Sequence, residues 1–260
     1  MKKFFTLCLA FMLASLLNMN AADTYTLVGE NINGKSWVVG ATENDLVYDA
    51  STDSYSISGV TMSGKFKIAK NHAWTTAWGN NEGRKIPIGA AYIAWAGSND
   101  IELCDAQTYN NCTVTFKILN TNAASIRITS STPMQAAIDT RADAWCVAGT
   151  FSDNEWNDAY EMTDLGNGVY ELWSTELPSE FKFKAKGDWS ISFGMNGDIK
   201  NTPIMGFDNA LKDNGGNISL ATDQVYDKYR YTLTVRGMVA SFRVDGYKEA
   251  VPSLTRVFYE

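Results

Sequence analysis

The residues best suited to chemistry are tryptophans and lysines that recur at one spacing. The stretch "GKFKIAKNHAWTTAWG" (64–79) and the stretch "SEFKFKAKGDWSISFG" (179–194) align without a gap, so Phe66, Lys67, Trp74 and Gly79 fall on Phe181, Lys182, Trp189 and Gly194. Strand alternation sends Phe66 and Ile68 to one face and Lys67 to the other, and likewise Phe181 and Phe183 against Lys182. Trp74 and Trp189 follow in polar, non-alternating stretches that read as loops, the first among Asn71, His72, Thr75 and Thr76. An indole there either folds back as a lid or presents its face to solvent. A presented face suits a sugar ring, which has one apolar C–H side and a rim of hydroxyls that Lys, Asn and Asp can bond. Trp37 and Trp156 occupy the loop after the first strand of each copy, so two rings could flank one sugar chain. Trp78 is matched by Phe193, which keeps the ring but not the indole N–H and points to core or rim. Trp95, Trp145 and Trp173 lie in strand-like segments and read as packing.

These residues belong to a longer internal repeat. "YTLVGENINGKSW" (25–37) parallels "WCVAGTFSDNEW" (145–156), and "YSISGVTM" from Tyr55 parallels "YELWSTEL" from Tyr170. Further on, "SNDIEL" (98–103) parallels "GGNISL" (215–220), and "ASIRIT" (124–129) parallels "ASFRVD" (240–245). The order is kept throughout, which indicates duplication. Period-two alternation in "KFKI", "TVTFKI", "SIRIT", "FKFK" and "YRYTLTV", with Gly, Asn and Asp clusters between, predicts strands and turns. No segment has a helical apolar period. The expectation is an all-β protein of two tandem immunoglobulin-like β-sandwich domains, at 23–129 and 144–260, joined by a linker at 130–143 that contains Ser, Thr and Pro.

The 260-residue chain is 45% hydrophobic and 20% charged, as in soluble globular proteins. Residues 1–22 carry two lysines, an apolar run through Leu17 and small residues at Ala21 and Ala22, the layout of a secretory signal peptide. The expectations are export, no transmembrane segment, and no lipidation, because Cys8 lies too early for an anchor. A net charge of −7 argues against nucleic acid or an anionic membrane as partner. Cys104 and Cys112 flank a short polar loop between alternating segments, so they either close a hairpin by a disulfide or remain free thiols at strand ends. Cys146 has no evident partner and reads as a small buried residue.

An enzyme finds little support. His72 is the only histidine, and no G-x-S-x-G, HExxH or glycine-rich phosphate loop occurs. A multi-histidine metal site is therefore impossible, and neither metal nor cofactor is expected. The acidic runs "ENDLVYD" (43–49) and "SDNEWND" (152–158) sit in polar loops and read as solvated surface.

The motifs "VAGTFSDNEWN…GNGVYE…EFKFKAKGDW…FG…GGNI…YTLTV", with their more divergent copy from residue 25, resemble the starch-utilisation outer-membrane binding proteins of the SusE and SusF type. The resemblance covers nearly all of the chain after the leader and is stronger in the second copy. It implies tandem modules that hold polysaccharide, starch-like α-glucan above all, without cleaving it. Each would bind through tryptophans and a basic residue: Trp37, Trp74 and Lys67 in the first copy, and Trp156, Trp189 and Lys182 in the second. It also implies a place at the outer membrane, cell surface or periplasm beside other glycan-uptake proteins. The other function class open to the sequence is a protein-interaction or structural sandwich pair in a cell-surface complex.

Overall fold

The computed structural model describes residues 23–83, 85–134, 141–152, 156–197, 202–220 and 222–249. The expected signal peptide, part of the expected linker and the end of the chain lie outside the described residues. The chain is all-β. Its first half holds β1 (Tyr25–Ile32), β2 (Val47–Asp49), β3 (Ser54–Lys70), β4 (Ala73–Gly79), β5 (Ala91–Ala96), β6 (Ile101–Glu102), β7 (Tyr109–Ile118) and β8 (Ala123–Thr129). The second half holds β9 (Trp145–Gly149), β10 (Thr163–Asp164), β11 (Val169–Ser174), β12 (Phe181–Ala185), β13 (Asp188–Gly194), β14 (Asn209–Asp213), β15 (Lys228–Arg236) and β16 (Val239–Tyr247).

Each half forms one eight-stranded antiparallel sheet, and the two sheets follow the same path. The second runs β10-β11-β15-β16-β14-β13-β12-β9. In the first, β3 takes two places on that path. Residues 54–62 of β3 pair with β2 and β7, whereas residues 62–70 pair with β1, β4 and β6. Register slips between Ile57 and Val60 and between Val60 and Met62 bend the strand, next to Gly59, whose φ of 77° is open to glycine at little cost. This long strand closes the sheet into a ring. In the second sheet the corresponding run is cut into β11 and β12. Pro178 stands there at the position of Ser63 and has no N–H to give a ladder.

Alternation places the core as the sequence predicts. Phe66 and Ile68 are buried with Leu27, Trp78, Val114 and Phe116 in the first sheet. Phe181 and Phe183 are buried with Trp145, Phe193, Tyr231 and Phe242 in the second. Trp78 and its match Phe193 are thus both core rings. The two halves meet along a seam in which Ala91, Ile93 and Ala123 pack against Ala210, flanked by an Arg127–Asp208 ion pair of 3.2 Å.

One expectation is corrected and one open choice is resolved. Cys104 and Cys112 are not on a hairpin, because β6 and β7 do not pair with each other but with successive stretches of β3, β7 with Tyr55 to Met62 and β6 with Lys65 and Phe66. Cys112 lies in the core opposite Val60, Cys104 is half-buried, and both are free thiols, as is Cys146. Trp173 is not packing: although it lies in β11, its side chain is 48% exposed. Trp145 is fully buried as expected, and Trp95 packs half-buried against the seam.

Candidate functional site

Both tryptophan pairs are brought together. The ring centroids of Trp37 and Trp74 lie 6.1 Å apart with planes inclined at 54°; those of Trp156 and Trp189 lie 6.2 Å apart at 45°. Each pair is built by the same two local devices.

The first device turns the chain sharply out of the leading strand. Trp37 and Trp156 adopt left-handed φ values of 55° and 54°, uncommon for any residue with a bulky side chain. Each is held there by its own N–H, which donates to the carbonyl of Gly29 at 2.7 Å or Gly149 at 3.0 Å. Those glycines are required, because a Cβ on either would collide with the carbonyl oxygen of Lys65 or Glu180 on the neighbouring strand.

The second device is a hairpin with a bulge. Register slips between Ala69 and Lys70 and, in the other copy, between Lys184 and Ala185, just before turns containing Asn71-His72 and Lys186-Gly187. Asn71, His72 and Gly187 have positive φ, as tight hairpin turns demand. Trp74 and Trp189 therefore stand on strands β4 and β13, not on loops as their polar neighbours suggest. They remain 47% and 45% exposed, while Trp37 and Trp156 are half-buried. His72 in the first turn bonds both oxygens of Asp45, at 2.8 and 2.9 Å.

Beneath the rings the copies differ. Trp37 rests on an apolar floor of Val28, Ala69 and Ala77 with Val39 beside it. The corresponding positions in the second copy are Ala148, Lys184, Ser192 and Asp158. The Lys184 ammonium is buried, paired with Asp158 and 4.9 Å from the centre of the Trp189 ring. The second Asp158 oxygen accepts the Gly187 N–H at 2.8 Å. Its hydrogen bond from Lys184, above all, holds the Asp158 carboxyl below its ordinary pKa, with the Gly187 N–H adding to this.

Lys67 and Lys182 lie on the outer face, register partners of Val28 and Ala148 and so one strand from the residues under the rings. Lys67 is 3.5 Å from Asp100 and lines a polar cleft of about 300 Å³ with Lys65, Asn80, Asn99 and Glu102. In the second copy Asn217 stands where Asp100 would, and it donates to Glu180 at 3.0 Å instead. Lys182 forms no ion pair among the described residues, and burial lowers its pKa.

The pairing of Lys184 with Asp158 is the feature that the sequence reading missed. Its signal was present: in "EFKFKAK" alternation puts Lys184 on the same outer face as Lys182. Residues 153–155 of the loop that delivers Trp156 lie outside the described residues. No protein-family model matches this chain, and no curated protein matches it.

Proposed function

We propose that this protein binds polysaccharide without cleaving it, through two tandem immunoglobulin-like β-sandwich modules that each offer an indole pair beside an outward lysine. The carrying observation is the repetition of one arrangement. Two tilted rings about 6 Å apart, one half-exposed, are delivered twice by the same turn and the same bulged hairpin. Trp37, Trp74 and Lys67 form one surface; Trp156, Trp189 and Lys182 form the other. Exposed indoles cost hydration while the protein is free, and an apolar sugar face relieves that cost while the lysines meet its hydroxyls.

The resemblance to SusE and SusF proteins points to starch-like α-glucan as the ligand and to an exported protein at the outer membrane, working beside other glycan-uptake proteins. Stacking on one ring contributes about 0.5–1.5 kcal/mol beyond burial if it behaves like aromatic pairing, so a single surface binds weakly. Two surfaces on one polymer raise apparent affinity by about 10²–10⁴ when both engage.

The test is native affinity electrophoresis through gels containing amylopectin, pullulan, dextran, xylan or mannan, with Trp74→Ala, Trp189→Ala and the double variant. Retardation in α-glucan gels, weakened by each single change and lost in the double, is the expected result. Retardation undiminished in the double variant would remove the indole pairs from the account.

A further inference from the structure

The second sheet carries another exposed aromatic surface, distant in sequence from the Trp156 and Trp189 pair. Trp173 on β11, Arg230 on β15 and Asp245 on β16 are direct register partners in one row across three strands. Tyr247 stands over this row. Its ring centroid is 5.0 Å from that of Trp173, and the Arg230 guanidinium lies 5.8 Å from one ring centre and 5.6 Å from the other. Trp173 and Tyr247 are 48% and 38% exposed.

The rings are fixed before any ligand arrives. The Trp173 indole N–H donates to Glu171 at 2.8 Å, and Arg230 is tied to Asp245 at 2.9 Å. Arg243 bonds the other oxygen of Asp245 at 2.7 Å. Burial by itself would raise the Asp245 carboxyl, but these two guanidinium groups hold it below its ordinary pKa. Beside the rings opens a cleft of about 500 Å³ lined by Thr222, Asp223, Gln224, Tyr226, Asp245 and Tyr247. Its side chains offer hydroxyl, amide and carboxylate oxygens.

The corresponding row in the first sheet is Ser58, Thr113 and Thr129, with no ring at all. Ser58 and Thr113 simply bond each other at 3.0 Å. The duplicated scaffold does not need aromatic residues here.

We infer that Trp173, Tyr247 and the adjoining cleft form an additional carbohydrate subsite, particular to the second sheet, that takes a neutral sugar residue of a polysaccharide. The rings supply the stacking face and the cleft supplies partners for hydroxyls. This rests on the reading of the protein as a glycan binder. A protein partner is the competing occupant, and the polar lining of the cleft favours the sugar.

The test uses the same five gels with the full chain and with Trp173→Ala, Tyr247→Ala and Trp173→Phe. Thermal melting checks that each variant folds, as expected for residues this exposed. Either alanine variant should weaken retardation about 2- to 10-fold, the scale of one aromatic contact, and Trp173→Phe should restore part of it. Full retardation of both alanine variants, with loss in the Trp74 and Trp189 variants, overturns the subsite and leaves the main reading standing. Weakening by Trp173→Ala alongside an unaffected Trp74→Ala, Trp189→Ala double variant supports the subsite while the main site fails. No retardation of the unmodified chain in any gel overturns both.

Discussion

The Lys184 ammonium sits 4.9 Å from the centre of the Trp189 ring and is tied there by Asp158. An ion pair thus underpins one indole pair, where Ala69 and Val39 fill the same space under the other. Two copies of one scaffold support the same surface by different physics, and the difference can be measured.

Removing Asp158 strands a buried ammonium. Asp158→Ala should destabilise the second half by about 1–3 kcal/mol, less than for a fully enclosed pair because the carboxylate keeps contact with water. Adopting the other copy's solution, Lys184→Ala with Asp158→Val, should recover most of that loss. Urea denaturation of the single and double variants checks this, and a double variant no more stable than Asp158→Ala would show that the pair is not the floor's main support.

Acid should find the same pair. The folded pKa of Asp158 lies below its unfolded value, so its contribution is fully present above the ordinary aspartate range of about 4. That contribution falls as pH drops through the lower folded value, because the unfolded chain then binds the extra proton. In the Asp158→Asn variant, unfolding stability followed from pH 6 downward should therefore decline less steeply below about pH 4.

Gly149→Ala puts a methyl group against the Glu180 carbonyl oxygen. The cost should be about 1–3 kcal/mol, and the displaced strand should shift Trp156, whose N–H depends on the Gly149 carbonyl. Tryptophan emission should change together with stability. A stability loss without a spectral change would mean that the Trp156 turn holds independently.

The thiols offer a separate check on the fold. Cys104 is half-buried, and Cys112 and Cys146 are buried. Burial raises the Cys104 thiol, so its reaction should be slow at neutral pH, yet faster than that of the other two. Titration of a chain beginning at Asp23, which lacks Cys8, after unfolding without reductant should recover all three; a deficit of two would restore the bridge between Cys104 and Cys112.

Alternation carried most of what the sequence revealed. The burial of Phe66, Ile68, Phe181 and Phe183 and the outward placement of Lys67 and Lys182 follow from period two alone. The meeting of Trp37 with Trp74, and of Trp156 with Trp189, was legible because duplication marked four residues that local pattern left unconnected. Trp173 escaped because a tryptophan within a strand looks the same in sequence whether its face is covered or bare. Cys104 and Cys112 misled because nearness along the chain suggested a hairpin, whereas β3 is long enough for β6 and β7 to pair with successive stretches of it and not with each other. Register across a bent strand is a long-range property, and no local signal reports it.

The seam of Ala91, Ile93 and Ala123 against Ala210, with its Arg127–Asp208 pair, has a consequence for any polymer that binds. Small side chains allow the two halves to approach closely, and an ion pair resists sliding. On the proposed glycan reading, this contact limits how far the two indole pairs can swing apart. Short oligosaccharides should then bind each pair separately, and affinity should rise once a chain is long enough to reach from one to the other.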